Sequence, residues 1–378
     1  MTQQQTAPAV ASRGLQGIVA TSTDISSVED RFLQYRGYSI DELAPNAEYE
    51  EVAYLLLNTD LPSTAQLAEF KAQLIRERPL SPALTKIMEE LPAHAKGMDV
   101  LRTVVSASGA EDPDEADNSR DAEYRKAVRL IAKMPTILAA YMRRRGGQQP
   151  IAPDPSLGHA ANFVKMAFGT PPHPQATEVL NTCFVLQAEH GMNASTFAAR
   201  ITAATLADMH AAVTSGLGAL KGPLHGGATD GTMEMLDEIG TVEAVPAFVE
   251  KGFANKHKFP GFGHRVYVNV DPRAKFLQAF SGQLAKAWKG KPFFDIQEAL
   301  VKEVNARRHF PINVDYYAAT TYTFLGIPAD LGTSLFAIGR VSGWCAHIME
   351  QHADNRLIRP ESAYTGPTGR KWKAPAAR

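Results

Sequence analysis

Residues 194–213 read ASTFAARITAATLADMHAAV, and nearly every position is apolar or small. A surface helix would carry a polar face; this stretch has none, so it predicts a helix buried inside a large α-helical protein. Its surroundings agree. Apolar residues at three- and four-residue steps predict helices over 48–57 and 64–76, separated by the turn Leu61-Pro62-Ser63, with Ser63 as N-cap. A further helix is expected over 124–145, kinked or restarted near Pro135, ending at Gly146-Gly147 after three arginines that suit a helix C-terminus. Residues 180–190, 274–288 and 331–352 also read as helices. Strand signals are sparse: 16–20 and 32–35 predict at most a short N-terminal β hairpin. The acidic run 111–123 reads as a solvated loop. The fold class is all-α.

At 378 residues the chain exceeds one typical core, and 44% apolar content supplies a substantial interior. Its 39 basic and 40 acidic residues nearly cancel, which argues against nucleic acid as a partner. Cys183 and Cys345 lie far apart and fit a reducing compartment, each as a small buried apolar residue. No apolar run is long enough for a membrane span, and the polar N-terminus has no signal-peptide core. A soluble cytoplasmic protein is expected.

Five segments carry chemistry. In 259–273, FPGFGHRVYVNVDPR, His264 follows a Gly-Phe-Gly turn and Arg273 follows Asp271-Pro272. That sets an imidazole near a guanidinium suited to a carboxylate. In LKGPLHGG, 220–227, His225 precedes a helix expected to begin near Thr229 or Asp230. The positive helix end disfavours an imidazolium, so such a histidine stays neutral and can donate to a developing oxyanion. A plain turn histidine is the alternative. Asp315, in NVDYY, sits among apolar and aromatic neighbours that raise a carboxylate's pKa and strengthen it as a base; it also suits a helix N-cap. His190 stands at a helix end in AEHGMNAS. Arg340 interrupts an apolar helix and needs an anionic partner, and Arg359 follows in LIRPES. Metal-ligand spacing is lacking, and His347 and His352 are expected at the surface or an interface. Gly216-Leu217-Gly218 lacks the strand and acidic residue of a dinucleotide site.

Together these segments resemble the citrate synthase family over nearly the whole chain. The motifs stand as GLQGIVA (14–20), YRGY (35–38), GPLHGG (222–227), GFGHRVY with DPRA (261–274), NVD (313–315), GRVSGWCAH (339–347) and NRLIRP (355–360). The resemblance implies an all-α homodimer with two helical domains per chain. A disordered tail over 1–13 would precede a large domain (14–225 and 325–365) and a small mobile domain (226–324), with an irregular tail over 366–378. It implies a catalytic trio of His225, His264 and Asp315 acting on acetyl-CoA and oxaloacetate, a tricarboxylic acid cycle reaction. Oxaloacetate would be held by His190, His264, Arg273, Arg340 and Arg359, the last reaching the other subunit's cleft. Arg265, Lys256, Arg307, Arg308 and Arg356 are CoA-binding candidates. No cofactor and no metal are implied; acyl-CoA is a substrate.

Four positions depart from the family pattern. Thr229-Asp230 replaces the usual Asn-Glu, Ile312 replaces a proline before NVD, and Val268 stands where a basic residue often meets CoA phosphate. A second reading is therefore 2-methylcitrate synthase, using propionyl-CoA with the same trio. A third is a non-catalytic member that binds acid or CoA, against which the intact trio speaks.

Overall fold

The computed structural model describes residues 13–15 and 17–374. The expected tail over 1–13 lies outside these except for Arg13, which opens a single 3-10 turn, Arg13–Leu15. The first regular structure is a small antiparallel sheet, β1 (Ser26–Glu29), β2 (Phe32–Tyr35) and β3 (Tyr38–Ser39), in that order. Ser26 pairs with Tyr35, and Gln34 with Ser39. Only half of the expected hairpin therefore stands: 32–35 is a strand, but its partner is Ser26–Glu29. Residues 17–20 are turn and coil, and Gln16 lies outside the described residues.

Among the described residues, the regular elements after the sheet are helices, joined by turns and coil. The helices are α1 (Ile40–Asn46), α2 (Tyr49–Asn58), α3 (Thr64–Glu77), α4 (Pro82–Glu90), α5 (Gly97–Gly109), α6 (Arg120–Arg145), α7 (His159–Phe168) and α8 (Pro174–Gln187). They continue as α9 (Ala194–Ala203), α10 (Met209–Leu220), α11 (Ala228–Ile239), α12 (Val245–Ala254), α13 (Ala274–Ala285), α14 (Phe293–Arg307), α15 (Val314–Phe324) and α16 (Gly332–Ala353). Capping explains many of the starts. Ser63 accepts from Gln66 N–H, Ser81 from Leu84 N–H just before Pro82, and Asn193 from Ser195 and Thr196 N–H. Helix α16 is the central strut, buried over most of its length and packed against α2, α6, α8, α9 and α10. A second group, α11 to α15, packs mainly on itself through the α13–α15, α11–α15 and α12–α14 contacts.

Three expectations need correction. The long buried helix over 194–213 is two helices: Leu206 takes a left-handed φ of 64°, and Asp208 caps a new start by accepting from Ala211 N–H. Pro135 neither ends nor restarts α6, which runs unbroken from Arg120 to Arg145. The acidic run is not simply solvated. The Asp112 side chain is buried against Arg129 at 2.7 Å, and Glu123 is buried against Lys126 at 2.7 Å. A buried carboxylate demands a cation, and here each finds one on α6.

Cys183 and Cys345 are buried free thiols, as expected. His347 and His352 are not surface residues. The His347 side chain is fully buried beside Glu189, and that of His352 packs against Glu123 at 3.2 Å. Among the described residues no helix is long and apolar enough to cross a membrane.

Candidate active site

Where the two helix groups meet, a cavity of about 1000 Å³ is lined by His190, His225, His264, Arg273, Asp315 and Arg340. Residues 17–20, expected as a strand, run along its wall instead. Six residues scattered over 150 positions converge because local backbone structure delivers each one.

The 261–263 turn and residues 311–313 are stitched together. Gly263 N–H donates to Pro311 O at 2.8 Å, and Asn313 N–H to Gly261 O at 3.0 Å. The Asn313 side-chain amide donates to Gly263 O at 3.1 Å, while its carbonyl caps α15 by accepting from Asp315 N–H. Gly261 is required here: its φ is 82°, and a Cβ would sit 2.5 Å from the Tyr316 ring. The stitching fixes His264 and Asp315 in one wall.

His264 is oriented by the main chain. Its Nδ1 accepts from the N–H groups of Val266 and Tyr267, both at 3.0 Å, so the ring proton resides on Nε2. Burial, reinforced by Arg273, pushes its pKa down to about 4. The ring stacks on Tyr267 at 4.4 Å, and the Tyr267 hydroxyl lies 3.0 Å from His190 Nε2. His190 is held neutral by burial and by Arg273, His264 and Arg340. His225 Nε2 accepts from Ser195 N–H at 3.3 Å and meets Ser195 Oγ at 2.9 Å, which leaves its proton on Nδ1. Burial, with Arg340 nearby, lowers its pKa to about 4. Helix α11 begins at Ala228, with Gly227 as N-cap, so His225 precedes the helix as expected.

Asp315 is the opposite case. Burial raises its carboxyl to about 6, against the Thr229 hydroxyl, which donates to Oδ1 at 2.9 Å, and the charges of Arg273 and Arg340. The two guanidiniums differ. Arg273 is paired: Nε and Nη2 donate to the two oxygens of Asp271 at 2.9 and 2.8 Å, which outweighs the cost of burial and holds Arg273 above the usual arginine range. Arg340 is 2% exposed, donates from Nε to Gln187 O at 2.7 Å and lies over Phe336, yet no carboxylate among the described residues reaches ion-pair distance. Burial lowers it to about 10. A buried cation without a carboxylate, facing a cavity, is a site for an anionic ligand.

The other sequence candidates lie elsewhere. Of the CoA candidates, Arg265 is on the cavity wall, whereas Lys256, Arg307, Arg308 and Arg356 are exposed and off it. Arg307 and Arg308 cover Phe253 and Phe310. Arg359 is exposed and off the wall of its own chain's cavity. Val268 is 67% exposed, and its N–H donates to Asp30 at 2.8 Å.

The family model for the citrate synthase C-terminal domain matches residues 14–361. The chain belongs to the citrate synthase family. It is 42% identical to citrate synthase 2 of Bacillus subtilis (strain 168) over 370 residues, covering 96% of this chain and 98% of that one. It is 40% identical to a 2-methylcitrate synthase of Mycobacterium tuberculosis over 372 residues, covering 97% and 94%. A solved ternary complex of carboxymethyl coenzyme A and oxaloacetate with citrate synthase from Thermoplasma acidophilum superposes with a TM-score of 0.91, at 31% identity, covering 98% and 100% of the two chains. The chain is thus a transferase of the citrate synthase type, and its all-α class with one small sheet is that of citrate synthases.

Sequence reasoning missed the supporting residues of this candidate site. Asp271, Ser195 and Tyr267 hold Arg273, His225 and His190, and each lies within a quoted motif or beside one. Ser195, two residues after the cap Asn193, was legible as a helix start but not as a histidine support.

Proposed function

We propose that the protein condenses acetyl-CoA with oxaloacetate and hydrolyses the resulting citryl-CoA to citrate and CoA. One observation carries this reading: a carboxyl raised to about 6, two neutral imidazoles and two buried guanidiniums line the same cavity. Asp315 takes a methyl proton from the thioester. His225 donates from Nδ1 to the thioester oxygen, where enolate charge develops. His264 donates from Nε2 to the oxaloacetate carbonyl oxygen as the new carbon–carbon bond forms. Water then attacks the thioester carbonyl, the C–S bond breaks and CoA leaves as the thiol. A weak carbon acid needs base and oxyanion stabilisation together, because neither alone lowers the barrier enough.

Arg273 and Arg340 hold the oxaloacetate carboxylates, with His190 beside them. Guanidiniums suit this task because they bind carboxylates bidentately. Arg359, exposed and off its own cavity, supplies a further contact to the cleft of its partner in a homodimer. Residues 226–324 form a small domain that closes over the rest, and Arg265 is the CoA contact nearest the reaction. The setting is a soluble cytoplasmic enzyme of the tricarboxylic acid cycle.

A second reading, 2-methylcitrate synthesis from propionyl-CoA, is favoured by the relative of that name at 40% identity. One methylene in an acyl pocket is worth only about 1–3 kcal/mol, so both thioesters are expected to react. The test measures free-CoA release from limiting acetyl-CoA and propionyl-CoA, with and without oxaloacetate. Oxaloacetate-dependent release with acetyl-CoA preferred supports the main reading. A propionyl-CoA preference transfers it to the second, and no release with either refutes both.

A further inference from the structure

Thr229 is the second residue of α11, 2% exposed, and its hydroxyl donates to Asp315 Oδ1 at 2.9 Å. A buried threonine inside a helix commonly satisfies itself by bonding the carbonyl four residues back; for Thr229 that residue is His225, which precedes the helix. Thr232, one turn further on, does this with Ala228 O at 2.7 Å. Thr229 does not; it spends its only donor on the carboxylate of another helix. Its rotamer is fixed from the other side. A Cβ at Gly332, the first residue of α16, would lie 2.6 Å from the Thr229 methyl, so the missing side chain there is the notch that receives it. With the methyl seated against Gly332, the hydroxyl is directed away from it, to Asp315.

Helix α11 starts three residues after His225. The same short segment that delivers the oxyanion donor therefore also grips the base. We infer that Thr229 is a positioning residue that holds one oxygen of Asp315 and leaves the other as the proton acceptor. This rests on Asp315 being the base of the proposed reaction. The hydroxyl does two things: it fixes the carboxylate plane, and it favours the ionised form against the desolvation that opposes it. Other groups act on Asp315 too. Arg273 and Arg340 favour its charge and Asp271 opposes it, Tyr322 stands on its own helix, and Asp230 neighbours Thr229 on α11. None of these donates a hydrogen bond to the carboxylate.

The test compares Thr229→Val, Thr229→Ser and Gly332→Ala with Asp315→Ala as reference. Each variant is assayed for CoA release across pH and for oxaloacetate binding. Thr229→Val keeps the shape and removes the donor. We expect kcat to fall roughly ten-fold and the acid limb of the pH profile to rise by about one unit, with oxaloacetate KM within about two-fold. Thr229→Ser should restore most of kcat and return the limb. Gly332→Ala, which fills the notch, should reproduce the Thr229→Val effect at unchanged donor chemistry. Thr229→Val with the wild-type limb and kcat, or Thr229→Ser as impaired as Thr229→Val, overturns the inference while an inactive Asp315→Ala leaves the proposed reaction standing. An active Asp315→Ala overturns the assignment of the base, and with it the reading on which this inference depends.

Discussion

Asp271→Asn tests the electrostatic frame of the site directly. Asp271 is fully buried and accepts four hydrogen bonds: from Arg273 N–H at 3.1 Å, Nε at 2.9 Å and Nη2 at 2.8 Å, and from Val314 N–H at 3.0 Å. An amide of the same shape has one accepting oxygen. In one orientation its NH₂ group faces Arg273 N–H and Nε, in the other Arg273 Nη2 and Val314 N–H, donor against donor either way. Two hydrogen bonds are lost at least, and the Arg273 charge stays buried without a counter-ion. Removing one partner of a buried pair costs about 3–5 kcal/mol. The loss should appear in urea unfolding followed by the fluorescence of the three tryptophans. Because oxaloacetate brings a replacement carboxylate to Arg273, saturating ligand should stabilise the variant more than the wild type. Val314 opens the helix that carries Asp315, so kcat should fall as well. A stability loss under about 1 kcal/mol, or equal stabilisation of both proteins by oxaloacetate, refutes the picture of Asp271 as the counter-ion that Arg273 requires.

Two further outcomes follow from the same geometry. Activity should fall about ten-fold per unit below pH 6 as Asp315 takes up a proton, since a raised carboxyl is ionised only above its own pKa. His225 and His264, lowered to about 4, stay neutral throughout and add no alkaline limb. A pH profile at constant ionic strength with its acid limb near 4 contradicts this. Arg359→Ala should weaken oxaloacetate binding at least ten-fold in calorimetric titration while thermal unfolding is unchanged, because the side chain is exposed. Wild-type affinity in that variant removes Arg359 from the site.

Some helices were legible in the sequence from a simple apolar period. The expected 64–76 and 331–352 fall within a residue of Thr64–Glu77 and Gly332–Ala353. The failure at 194–213 came from composition: small residues on all sides hid the break, although Asp208 followed by an apolar run was a readable cap. The acidic run misled for a different reason. Its burial depends on Arg129, which reaches back from α6 to Asp112, and on Lys126, one turn after Glu123 on that same helix. At the site, histidines, arginines and Asp315 stood out because their types are costly to bury. Thr229, Ser195 and Asp271 did not, because their value lies in partners 30 to 86 residues away or on a buried neighbour.

The two N–H groups that set the His264 tautomer belong to the main chain of Val266 and Tyr267. The protonation pattern of this imidazole is therefore a property of backbone shape, indifferent to which side chains those two positions carry. Sequence drift at 266 can alter the cavity mouth freely, and only proline, which has no N–H to give, would strip a donor away. Substrate preference and proton inventory are thereby uncoupled at this point of the chain: one can be retuned by ordinary substitution, while the other is inherited with the turn itself.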